Sequence, residues 1–174
     1  NGGSFTKARL SAYGAAATYS GTLTPNGSTY RFGGGNNTLT LDQANALTGA
    51  NSLDFSSGGY KSYFYNVVPA SGLTLTEAND MAGVVTVGRA STLTLSGLNG
   101  SLANATALNI NQGGTVALTS TTNTVNADRI GTVPVTFDRG GTLAWTGAPG
   151  TEDLGDLLIS SGLAVVTATR AGTS

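Results

Sequence analysis

Thr38-Leu-Thr-Leu41 returns as Gly72-Leu-Thr-Leu75 and again within Ser91-Thr-Leu-Thr-Leu95. Leu39 and Leu41 recur as Leu73 and Leu75 and then as Leu93 and Leu95, at intervals of 34 and 20 residues. Side chains of a strand alternate between its faces, so each leucine pair points one way and the threonines point the other. Repetition at roughly 20 to 50 residues marks stacked units, none of which can bury its own apolar face alone. The expected fold is therefore all-β: a parallel β-helix, or β-solenoid, in a single domain with little or no α-helix.

A second phrase extends the pattern. Ala107–Leu118 is echoed by Pro134–Trp145, with Gly113-Gly114 mapping onto Gly140-Gly141. In each copy a strand (Leu108 and Ile110, or Val135 and Phe137 inward) meets a glycine pair. A second strand follows, with Val116 and Leu118, or Leu143 and Trp145, on one face. Glycine suits the positive φ of a tight corner. Leu157–Val166 is a weaker copy. The helical candidates Asp42–Leu47 and Glu77–Met81 are too short to stand alone and are expected to be corners. Residues 1–37 lack the leucine phrase and are expected to form a strand-and-turn segment that caps the solenoid or acts as an assembly arm. Residues 38–174 are expected to hold about six coils.

Composition supports strands and turns: of 174 residues, 26 are glycine and only 10% are charged, the polarity coming from Thr, Ser and Asn. With a net charge of −1 and eight scattered basic residues, the chain lacks the basic stripe of a nucleic-acid binder. No run of eighteen apolar residues offers a membrane span. The chain opens Asn-Gly-Gly-Ser-Phe without an initiator Met, and is expected to be a processed product or a piece of something longer.

With no His and no Cys, a Ser-His-Asp triad, a Cys nucleophile and a His- or thiolate-based zinc site are all excluded. Carboxylate chemistry remains, in which two acids face each other across a groove. No acid pair of that kind is recognisable, and no cofactor is expected. Glu152, Asp153 and Asp156 form the one acidic cluster, a solvated turn with a weak claim to Ca²⁺. Asp128-Arg129 and Asp138-Arg139 are expected to be solvated corner pairs. Tyr60, Tyr63 and Tyr65 crowd around Phe64, which is expected to fill the core. These tyrosines are the candidate sticky patch for a sugar ring or a partner. Trp145 shares a strand face with Leu143 and is expected in the core.

Tyr30–Leu41, Ser91–Gly97 and Ala127–Gly131 followed by Gly140-Gly-Thr-Leu143 resemble the autotransporter-associated β-strand repeats of bacterial secreted and surface proteins. The resemblance covers most of residues 20–170. It implies a right-handed parallel β-helix at the cell surface or outside the cell, serving as a stalk, adhesin or matrix component. No catalytic residue belongs to that pattern. The expected function is a non-enzymatic structural or adhesive solenoid that self-associates end to end into a filament. The alternative is a polysaccharide-binding or polysaccharide-cleaving β-helix, resembling phage tailspikes in plan, with surface glycans as partners.

Overall fold

Leu39, Leu73 and Leu93 stack as parallel register partners, and Leu41, Leu75 and Leu95 form the column beside them. Val116 and Leu143 extend the first column, and Leu118 and Trp145 extend the second. The repeated phrase is thus a register instruction: identical inward positions of successive coils lie directly over one another.

The computed structural model describes residues 7–57, 70–120, 128–147 and 151–170, which contain thirteen strands and no helix. One sheet holds β1 (Ala17–Tyr19), β3 (Thr38–Leu41), β5 (Ser71–Leu75), β7 (Ser91–Leu95), β9 (Gly114–Thr119), β11 (Gly141–Gly147) and β13 (Ala164–Arg170), in that spatial order. The other holds β2 (Thr29–Phe32), β4 (Ser52–Phe55), β6 (Val84–Val87), β8 (Ala107–Asn111), β10 (Val135–Asp138) and β12 (Leu157–Ile159). Neighbouring strands pair in parallel throughout both sheets. The chain alternates between the sheets, so each coil gives one strand to each. The result is a β-solenoid of about six turns.

The interior is a single apolar cluster between the sheets. From the second sheet it receives Tyr30, Leu53, Val85, Leu108 and Val135 in one column, and Phe32, Phe55, Val87, Ile110 and Phe137 in the next. The segments Asp42–Leu47 and Glu77–Met81 are non-helical corners. Ala46, Leu47 and Met81 drop from them into the core. Buried Asn79 ties the two corners together. Its Oδ1 accepts from Leu47 N–H at 2.9 Å, and its Nδ2 donates to Glu77 C=O at 2.8 Å.

At the repeated glycine pair the first glycine turns the chain, with φ of 77° at Gly113 and 82° at Gly140. The residue before each is also left-handed (Gln112, φ 52°; Arg139, φ 61°), so both corners use two consecutive positive-φ residues. The second glycine serves a different need. A Cβ on Gly114 would lie 2.5 Å from the Val87 carbonyl oxygen of the coil beneath, while one on Gly113 would meet open space. Gly113→Ala should therefore cost only the left-handed penalty, about 1–2 kcal/mol. Gly114→Ala should cost more, because backbone must move. Urea midpoints of the two variants check the order; equal losses would mean that close stacking at Gly114 does not matter.

Candidate functional site

Outward positions of the second sheet alternate with its core positions, so stacking builds an outer face from Arg31, Asp54, Thr86 and Asn109 on successive coils. The segment carrying Lys7 and Arg9 crosses the start of this face. Together they enclose an open groove of about 720 Å³, lined by Lys7, Arg9, Arg31, Asp54, Thr86 and Arg89, with Ser56, Asn111 and Gln112 among its other polar walls.

Arg9 is a half-buried wall of the groove. Its guanidinium grips Asp54, with Nη2 to Oδ2 at 2.6 Å and Nη1 to Oδ1 at 3.2 Å, while Nη1 also donates to Phe32 C=O at 2.9 Å. Such a two-point, charge-assisted contact fixes both side chains. Arg31 Nη1 reaches only Thr29 C=O, at 3.2 Å. Among the described residues no carboxylate pairs with Lys7, Arg31 or Arg89. The corner carrying Arg89 is held from below: buried Ser57 donates to Arg89 C=O through Oγ at 2.7 Å. Half of the eight basic residues thus face one groove against a single acid, although positions 7, 9, 31 and 89 looked scattered along the chain.

A second charged locus is internal. Arg129, expected to sit solvated beside Asp128, is fully buried. Its Nη1 donates to Gly100 C=O at 2.6 Å and to Ser96 C=O at 3.3 Å, and its Nη2 to Gly97 C=O at 2.8 Å. Asp128 stays exposed and left-handed at φ 72°, and the chain turns Arg129 inward beside it. The expected solvated pair is therefore found only at Asp138–Arg139, whose charged groups lie 3.9 Å apart at the surface. Burial lowers the Arg129 pKa, and the nearby Glu152 charge opposes that shift.

Glu152 leaves the acidic cluster for this interior. Its Oε1 accepts from Ile130 N–H at 2.8 Å, while Glu152 Oε2 and Arg129 Nε have no hydrogen-bond partner among the described residues. Burial raises the Glu152 pKa, against the hydrogen bonds from Ile130 and Arg129 N–H. Asp153 and Asp156 remain exposed. Among the described residues no three acids are grouped to hold a metal ion.

Tyr60, Tyr63 and Tyr65, with Phe64, lie outside the described residues. Trp145 is partly buried and packs against the core. No helix of the described residues is long and apolar enough to cross a membrane.

The two ends of the solenoid differ. At the first end β1 lies over β3, with Ala17 and Tyr19 above Leu39 and Leu41. Tyr19 is 38% exposed, while Tyr30 and Phe32 of β2 are buried. Leu10 and Ala12 bridge to Phe32 and Asn37, and Leu23 packs against the core from outside the strands. At the last coil the inward columns end in Leu157, Ile159 and Val166, which are 49%, 56% and 53% exposed. Among the described residues β12 and β13 are the outermost strands of their sheets there.

These features define a parallel β-solenoid with a cationic outer groove, a first end covered over its second sheet and a last end open over both. No family model, no curated protein and no solved structure matches the chain.

Proposed function

We propose that this chain is a non-enzymatic structural segment of an extracellular or bacterial cell-surface protein, and that it joins a second copy of itself through the open end. The observation that carries this reading is the last coil. Leu157, Ile159 and Val166 are core residues by register, left half in water, beside two strand edges available for pairing. A cavity of about 250 Å³ among Leu118, Leu143, Trp145, Leu154 and Val166 opens at the same end. The resemblance to autotransporter-associated repeats supports the surface location and the stalk-like role. The lack of His and Cys, and of any recognisable acid pair, supports a role without catalysis.

A filament needs two open ends. Over β2 the first end is covered by Leu10, Ala12 and Leu23, and β1 is left as an exposed edge strand. At the last coil, by contrast, the apolar columns of both sheets are open. This asymmetry favours a tail-to-tail pair over the end-to-end fibre that the repeats alone suggest. In such a pair the same patch serves both partners about a two-fold axis. Sedimentation velocity across a concentration series should show a dimer, and Ile159→Lys with Val166→Lys should return it to monomer with an unchanged circular dichroism spectrum. A monomer at every concentration, or a dimer that survives both lysines, would remove the proposal.

A further inference from the structure

We propose that the groove along the second sheet binds an acidic polysaccharide, a sugar chain bearing carboxylate or sulfate groups. The argument begins with charge. Arg9 and Asp54 satisfy each other, so Lys7, Arg31 and Arg89 supply three positive charges with no carboxylate partner among the described residues. The rest of the chain has the opposite balance, four basic residues against eight acidic ones. Net charge conceals this segregation, and the groove concentrates a positive potential that attracts anions. Arginine adds geometry to charge, since its planar fork matches a carboxylate or sulfate with two parallel donors.

The remaining walls identify which polyanion fits. Ser56, Thr86, Asn111 and Gln112 offer hydroxyl and amide groups beside the cations, the partners that sugar hydroxyls require. The groove runs across four stacked strands, β2, β4, β6 and β8. Three inter-strand steps make it about 14 Å long, enough for several linked sugar rings. Among the described residues no aromatic side chain lines it, so they offer no stacking platform of the kind that single-stranded nucleic acids use. An acidic peptide would gain most by adding a strand to a free edge. The groove lies on a sheet face instead, where the backbone of β4 and β6 is already paired on both sides.

The site is independent of association at the open end, because its residues sit on the first four coils. Fluorescence polarisation with labelled polygalacturonate and labelled heparin tests it on the full chain. Binding of at least one probe is expected, weakening as salt rises, with labelled neutral dextran inert. Arg31→Glu combined with Arg89→Glu should weaken it roughly tenfold or more. Arg139→Glu, the same charge change outside the groove, should leave it unaltered. Thermal melts of all variants separate lost binding from lost folding. Absence of binding to both acidic probes, equal binding of dextran, or an equal loss with Arg139→Glu would overturn the proposal. Tighter binding of labelled oligo-dT than of either sugar would assign the groove to nucleic acid instead.

Discussion

Arg129→Met should lower the unfolding free energy by about 1–3 kcal/mol, read as a drop in the urea midpoint at unchanged slope. The side chain is buried, yet its main partners are backbone carbonyls of an earlier corner, at Ser96, Gly97 and Gly100. Ser96 C=O keeps a second donor, Gly100 N–H at 3.0 Å. The buried Gly100 carbonyl would be left without the guanidinium that satisfies it, at roughly 1–3 kcal/mol, whereas the exposed Gly97 can turn its carbonyl to water. Methionine fills much of the volume, so the loss reports hydrogen bonding more than a cavity. It also removes a buried charge, and replacing buried ions by apolar groups is sometimes neutral. The outcome therefore decides between two accounts. A destabilised variant means that Arg129 pins the Ser96–Gly100 corner across two coils. A variant as stable as the parent means that the corner closes unaided. Arg129→Lys should recover only part of the loss, because an ammonium cannot span carbonyls that the fork reaches with two nitrogens.

The columns of the core were legible because two signals agreed. Alternation in Thr-Leu-Thr-Leu placed the leucines on one face, and repetition of the phrase placed those faces in line. The pairings Leu39–Leu73–Leu93 and Leu41–Leu75–Leu95 follow the repeat residue by residue. Val135 and Phe137 over Leu108 and Ile110 do the same. The corners were only partly legible. Glycine marked the positive-φ turns at Gly113 and Gly140, but Gln112, Arg139 and Ala90 adopt the same region without such a mark.

Neither charged locus could be read along the chain. Arg129 next to Asp128 looks like a solvated pair, and the carbonyls that draw it inward lie 29 to 33 residues away. The cations of the groove come from positions 7, 9, 31 and 89. Their spacing in sequence carries no period, because corners of unequal length separate coils that stack at constant spacing. Only the register of β2, β4 and β6 shows that Arg31, Asp54 and Thr86 stand side by side.

Phe137→Ala and Ile159→Ala remove side chains from adjacent positions of one column, and their costs should differ severalfold. Phe137 pairs with Ile110 on one side and Ile159 on the other, and it is fully buried. Truncating it leaves a cavity between two coils and should cost about 3–5 kcal/mol. Ile159 has a neighbour on one side only and is 56% exposed. In the isolated chain its truncation forfeits about half of a buried isoleucine, on the order of 1 kcal/mol. A solenoid held by nearest-neighbour contacts makes this gradient unavoidable: an interior coil loses two interfaces and a terminal coil loses one. Concentration then separates stability from association. If a second copy covers the last coil, Ile159→Ala should become more destabilising as protein concentration rises, because the lost contact includes the partner. The Phe137→Ala penalty should not grow in this way. Chemical denaturation of both variants at low and high protein concentration measures the two slopes. A concentration-independent penalty at Ile159 would mean that this end stays in water. A small penalty at Phe137 would mean that the coils do not share the common interior on which the fold depends.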